Sequence, residues 1–181
     1  MIYNFGAIKN RGLKHKKSQE SRTTTTKLVL PNEGNQLGNL FGGQLMAWMD
    51  EIAAISAHRH SNRVVVTASV NNISFNYPIK VGDIVTLEAQ VSRAFSTSME
   101  IFIDVNVEHP SSGKKIKCNE AIYTFVAIDQ IGTPIEVPGL IPETDLEKER
   151  FASALRRREL SLILGGKMKP SEATELKSIF E

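Results

Sequence analysis

One apolar stretch constrains this chain more than any other feature. Between Gln44 and Ala57 the residues Leu45, Met46, Trp48, Met49, Ile52 and Ile55 recur at spacings that cover nearly the whole circumference of a helix. The helix predicted there needs walls on most sides rather than one stripe of contact. Only Asp50 and Glu51 interrupt it. Ahead of it, Gly42-Gly43 leaves the first backbone N–H groups uncovered by side chains, and these orphan donors add to the positive end of the helix dipole.

The rest of the chain supplies strands to wrap it. Residues 23–30 are β-branched and then apolar, a strand halted by Pro31, and 31–39 form a Gly- and Asn-rich loop leading to the helix. After the helix the period changes to two. It begins at Arg63-Val-Val-Val and continues through Val70, Ile73, Phe75 and Tyr77 to Pro78. A turn at Val81-Gly82-Asp83 precedes the alternating run Val85, Leu87, Ala89, Val91, and Met99, Ile101, Ile103, Val105, Val107 follow in the same pattern. Pro110-Ser-Ser-Gly113 closes that strand as a hairpin, and a last run spans Cys118 to Ile128. One strand, one helix and an antiparallel meander make an α+β order in which the sheet curls round the helix. Beyond Pro138 and Pro142, Thr144-Asp-Leu-Glu147 has capping-box spacing and opens a second helix, predicted from about Asp145 to Leu164 and ended by Gly165-Gly166. The expected organisation is a basic, poorly ordered arm over 1–22, one domain over 23–138 and a helical tail over 139–181.

Composition narrows the function classes. A net charge of +2, without aromatic residues interleaved on a basic face, gives no footprint for nucleic acid. No apolar run reaches the ~18 residues of a membrane span, and no secretory segment follows the start, so the cytoplasm is the expected compartment. Cys118 is the single cysteine, which excludes a disulfide framework, and it has no motif of a nucleophile.

Asp50 carries the chemical question. A carboxylate inside an apolar helix is costly unless it is paired, hydrogen-bonded or at the wet edge of a pocket. It marks either the narrow solvated side of the helix, with Glu51, or a general base or nucleophile tuned by its surroundings. The N–H donors near Gly42 and Gly43 suit a carbonyl oxygen becoming an oxyanion, so donors followed by a carboxylate invite a hydrolysis reading. Seven residues separate Gly43 from Asp50, placing them ~10 Å apart along the axis. Both can serve one substrate only if they come from two chains. His58 and His60, at i and i+2, do not face one way, so no metal site is expected. The triplet Arg156-Arg-Arg158 reads as a solvated helix face or as a grip on an anion.

The motifs Pro31-x3-Asn35-x2-Gly38-Asn39-x-Phe41-Gly42-Gly43-x2-Met46-x2-Met49-Asp50, Val65-Val-Thr-Ala68, Phe75-x2-Pro78-Ile-x2-Gly82-Asp83, Thr97-Ser-Met-Glu100 and Phe125-Val-Ala127 stand in this order. Over roughly residues 23–138 they resemble the acyl-CoA hydrolase branch of the hotdog-fold thioesterases. The resemblance implies a sheet wrapped round a central helix, homodimers joined through their sheets and often trimers of such dimers. It also implies hydrolysis of acyl-CoA to free CoA and a carboxylic acid without metal or organic cofactor. Asp50 falls on the family's catalytic carboxylate. Asn39 falls on the Asn of its Gly-Asn-x-x-Gly-Gly loop, which acts with the carboxylate of the partner chain. CoA is then expected along Thr67, Ala68 and Ser69 and along Thr97, Ser98 and Met99, with its phosphates near Arg156, Arg157 and Arg158. Two rivals stand beside this reading, a hotdog dehydratase or hydratase and a non-catalytic acyl-CoA sensor. The first usually needs a helix His, and neither His58 nor His60 lies near the helix start. Intact Asn39, Gly42, Gly43 and Asp50 argue against the second. The chain departs from the bacterial pattern at Arg93-Ala-Phe-Ser96, where a glycine is usual, so a borrowed chain-length preference does not transfer and Phe95 is positioned to narrow the channel.

Overall fold

The computed structural model describes residues 14–71, 73, 75 and 77–177. The apolar stretch forms α1, Gly42–Ser61, a 20-residue helix ended by Asn62 in the left-handed conformation. Around it lies a five-stranded antiparallel sheet made of β2 (Thr23–Leu28), β3 (Val64–Asn71), β4 (Ile84–Ala94), β5 (Ser98–His109) and β6 (Lys114–Ile128), in the order β2-β4-β5-β6-β3. Period-two patterning fixes the register: Val85 sits opposite Val107, Leu87 opposite Val105, Ala89 opposite Ile103 and Val91 opposite Ile101. All eight side chains are fully buried against α1 with Trp48, Met49 and Ile52. A one-residue slip would turn this row to the other face.

The opposite face of the sheet carries α2, Asp145–Leu164, whose bounds match the expected ones. Thr144 Oγ1 accepts the Glu147 N–H at 3.2 Å and Glu147 Oε2 accepts the Thr144 N–H at 3.0 Å, closing the capping box. The helix is held to the sheet by Arg150, which stacks at 3.7 Å on Phe102 and bonds both carboxylate oxygens of Asp104, at 3.0 and 2.8 Å.

Three expectations are corrected. The arm over 1–22 is not loose from Lys14 onward, because β1 (Lys16–Lys17) pairs in parallel with β7 (Leu140–Ile141) and a 3-10 turn follows at Ser18–Ser21. Ser18 Oγ donates to Val91 O at 2.6 Å and Ser21 Oγ accepts Val91 N–H at 2.9 Å, so two hydroxyls extend the β4 ladder past β2. The portion 1–13 lies outside the described residues. The alternation at Ile73, Phe75 and Tyr77 is not a strand, since β3 ends at Asn71 and these three residues have no ladder. Finally, the sheet walls only part of α1. Met46 and Ile55 are 38% and 48% exposed on its outer side, beside the free edge of β3, where Val64 and Val66 are 64% and 43% exposed.

Candidate active site

The outer side of α1 carries Asp50, half-buried and in reach of β3. Between Thr67 and Ser69 the β3–β6 register shifts, leaving Ala68 without a partner. Such a bulge re-aims side chains. Thr67 Oγ1 donates to Asp50 Oδ1 at 2.7 Å, which orients the carboxylate, and among the described residues Oδ2 has no hydrogen-bond partner. Beneath the helix, buried Tyr123 donates to Met46 O at 3.2 Å. Burial, with the charge of Asp50 adding to it, pushes the Tyr123 phenol up to about 12.

The N–H donors lie elsewhere. Phe41 at the N-cap brings no side-chain acceptor, and the N–H groups of Gln44 and Leu45 both turn back to Phe41 O, at 3.0 and 3.1 Å. Among the described residues the N–H groups of Gly42 and Gly43, the first of the helix, meet no acceptor. Gly42 has a packing reason to be glycine: a Cβ there would meet the Phe75 ring at 3.3 Å, whereas a Cβ at Gly43 would meet open space. Gly42 borders a cavity of about 380 Å³ together with Asn35, Asn39, Leu45, Tyr77 and Cys118. Asp50 does not line it. The donors and the carboxylate of one chain therefore open onto different surfaces, as the axial separation requires.

Sequence reasoning passed over Asn35 as a chemical group. Its Oδ1 accepts the N–H groups of Leu37 at 2.9 Å and Asn39 at 3.1 Å, which commits the oxygen to the loop, and the residue also borders the cavity. The available signal was its place four residues before Asn39 in a loop that must present donors. Cys118 borders the same cavity, but burial pushes its thiol up to about 11, so it is no ready nucleophile.

A second cleft, of about 250 Å³, lies between β3 and α2. It gathers Ala68, Ser69, Arg157 and Arg158 from the expected CoA residues, together with Phe95. Arg158 lies 4.2 Å over the Phe95 ring and donates to Ser98 Oγ at 3.2 Å. Arg157 is committed to the protein itself, with bonds of 2.9 and 2.7 Å to the carboxylate of buried Glu100. Arg156 donates to Ser153 Oγ at 3.0 Å and does not border the cleft. Thr67 turns to Asp50 instead, Thr97 receives Ala127 N–H at its carbonyl, and Met99 is fully buried in the core, so its side chain is withdrawn from any ligand. Lys167, from the tail after α2, borders the cleft and was not foreseen.

The histidines are structural. His60 is fully buried and donates from Nε2 to Pro138 O at 2.7 Å, and burial holds its imidazole below the ordinary range and therefore neutral. His58 bonds Arg63 O at 2.8 Å. Among the described residues no three His, Cys, Asp or Glu side chains converge as metal ligands, and no helix is long and apolar enough to cross a membrane.

Residues 37–113 match the thioesterase superfamily. A Bacillus subtilis protein named as an uncharacterized acyl-CoA thioester hydrolase is 40% identical over 139 residues, 77% of this chain and 81% of that one. An acyl-CoA hydrolase from Staphylococcus aureus, solved with butyryl-CoA, CoA and CoA disulfide, is 38% identical and superposes with a TM-score of 0.78 over 84% of this chain and 95% of its own. It has also been solved as alanine variants of an asparagine, an aspartate and a threonine, whose separations along that chain equal those of Asn35, Asp50 and Thr67 here. A hexameric acyl-CoA thioesterase in its apo form is 39% identical, with a TM-score of 0.78 over 81% of this chain and 94% of its own.

Proposed function

Since the chain belongs to the acyl-CoA hydrolase branch of the hotdog-fold thioesterase superfamily, we propose that it hydrolyses acyl-CoA to free CoA and a carboxylic acid in a site completed by two chains. The observation that carries this reading is the divided geometry. Asp50, held by Thr67, opens beside the free β3 edge, while Asn35, Asn39, Gly42 and Gly43 gather at the far end of the same helix. A second copy applied to the exposed stripe of Met46 and Ile55 and to the β3 edge covers apolar surface on both chains. It also sets each Asp50 against the partner's donor loop. Homodimers of this kind are the unit we assign, with trimers of dimers as the larger assembly, in keeping with the hexameric relative.

In that site the thioester oxygen lies on the Gly42 and Gly43 N–H groups, and the amides of Asn35 and Asn39 orient the carbonyl. Asp50 of the other chain, with Oδ2 free, either takes a proton from the attacking water or attacks the carbonyl itself. In the first route water adds to the carbonyl, the C–S bond breaks and the proton passes from Asp50 to the CoA sulfur. In the second the C–S bond breaks to leave an acyl–Asp50 anhydride and the CoA thiolate. Water then hydrolyses the anhydride, freeing the acid and Asp50 and giving its proton to the thiolate. CoA lies along the cleft of Ala68, Ser69 and Arg158, with Lys167 near its phosphates. Every group in this scheme is a side chain or backbone donor of the protein, so the reading calls for no cofactor. The cytoplasm suits it, where acyl-CoA is met and an unpaired Cys118 stays reduced.

Replacing Asp50 with Asn tests the assignment. The variant should keep its thermal transition and its affinity for acyl-CoA, yet release thiol at least about a hundredfold more slowly, the loss expected for a positioned acid or base. Near-normal thiol release would remove Asp50 from the mechanism.

A further inference from the structure

The cavity at the start of α1 is walled in part by Tyr77, and Tyr77 is held from behind. Its hydroxyl lies 2.7 Å from His109 Nε2, near the end of β5, and His109 Nδ1 lies 2.6 Å from Asp83 Oδ1. Asp83 is buried, and its second oxygen accepts Lys80 N–H at 2.7 Å, inside the turn that Gly82 makes at φ 92°. A carboxylate accepts, so His109 donates from Nδ1 to Asp83, and its Nε2 shares a hydrogen bond with the Tyr77 hydroxyl. The buried carboxylate orients the imidazole, and the imidazole in turn holds the phenol at a cavity wall. The tilted Tyr77 and His109 rings, 6.1 Å apart, pack as well as bond.

We propose that the cavity at the start of α1 takes the acyl chain, that Asp83 and His109 are positioning residues that lock Tyr77 as its rigid wall, and that this relay sets the acyl-chain length the enzyme accepts. The proposal rests on acyl-CoA hydrolysis being the activity. Among the described residues the relay hydrogen-bonds none of the groups assigned to the chemistry. Its nearest link is Lys80, whose N–H Asp83 holds and which pairs with Asn39, so its effect falls on where the acyl group fits. A phenol tied to an imidazole, itself tied to a buried carboxylate, does not swing aside for a longer chain. A phenyl ring without that bond does.

Thiol release is measured with acetyl-, butyryl-, octanoyl- and palmitoyl-CoA for the full chain and for Tyr77→Phe, His109→Leu and the double variant, each with an unchanged far-UV spectrum. Each single variant should shift the ratio of kcat/KM for long over short chains upward by about threefold to tenfold, the range set by one lost hydrogen bond. The kcat on the best short substrate should stay within about twofold of the parent. The double variant should match the singles, because one relay is broken only once. An unchanged chain-length profile, additive effects in the double variant, or an equal fall in kcat on every substrate would each overturn the relay. Should the parent chain itself release no thiol from any of the four, the hydrolase reading fails first and the relay with it.

Discussion

Asn35 and Asn39 stand in one loop that the proposed reaction divides between scaffolding and chemistry. The Asn35 oxygen bonds two backbone N–H groups, so alanine at that position would remove a structural acceptor as well as an amide donor. Aspartate separates the two roles, keeping the oxygen and losing the N–H. If the Asn35 amide orients the thioester, Asn35→Asp should lower kcat by about a hundredfold to a thousandfold, the range of a removed oxyanion-type donor, with the fold intact. Asn39→Asp, compared in the same thiol-release assay, ranks the two asparagines. Equal, near-parental rates for both would confine the pair to holding the loop. Asn39 was legible in the sequence because it belongs to a Gly-Asn-x-x-Gly-Gly pattern. Asn35 was quoted there without a role, since which of its atoms is committed depends on hydrogen bonds that only the folded loop shows.

The two long helices were readable from local signals alone. α2 begins at a Thr-x-x-Glu box and ends at paired glycines, and its bounds need nothing distant. By contrast β1 and β7 are two residues each and show no periodicity, so their pairing was invisible. The false strand at Ile73, Phe75 and Tyr77 has a related cause. Ile73 packs on the core, Phe75 covers Gly42 and Tyr77 meets His109, so three separate destinations imitate a sheet's alternation. The basic triplet of α2 shows the same limit, because Arg157 and Arg158 find Glu100 and Ser98 on β5 while Arg156 stays with Ser153 on its own helix. Arg157→Gln should cost about 3 kcal/mol of stability by leaving buried Glu100 unpaired, read as a lower denaturation midpoint. Arg158→Gln should leave that midpoint nearly unchanged and raise KM for acyl-CoA, less so at high salt. Reversed outcomes would exchange the roles given to these two arginines.

For the molecule as a whole, the apolar circumference of α1 is the fact that reaches furthest. It announced a helix needing walls on most sides, yet the chain's own sheet leaves Met46 and Ile55 uncovered. In the dimer proposed above, a second copy against α1 and β3 would supply both the missing wall and the other half of the active site. The most direct measurement mixes two inactive proteins, Asp50→Asn and Asn35→Asp, under conditions that allow subunits to exchange, with mass spectrometry to count heterodimers. Random assortment makes about half of the dimers mixed, each with one doubly damaged site and one intact site, so thiol release should recover to about a quarter of the parental rate. Mixed dimers at that frequency with no activity above the two parents would place the whole site within one chain and contradict the shared active site.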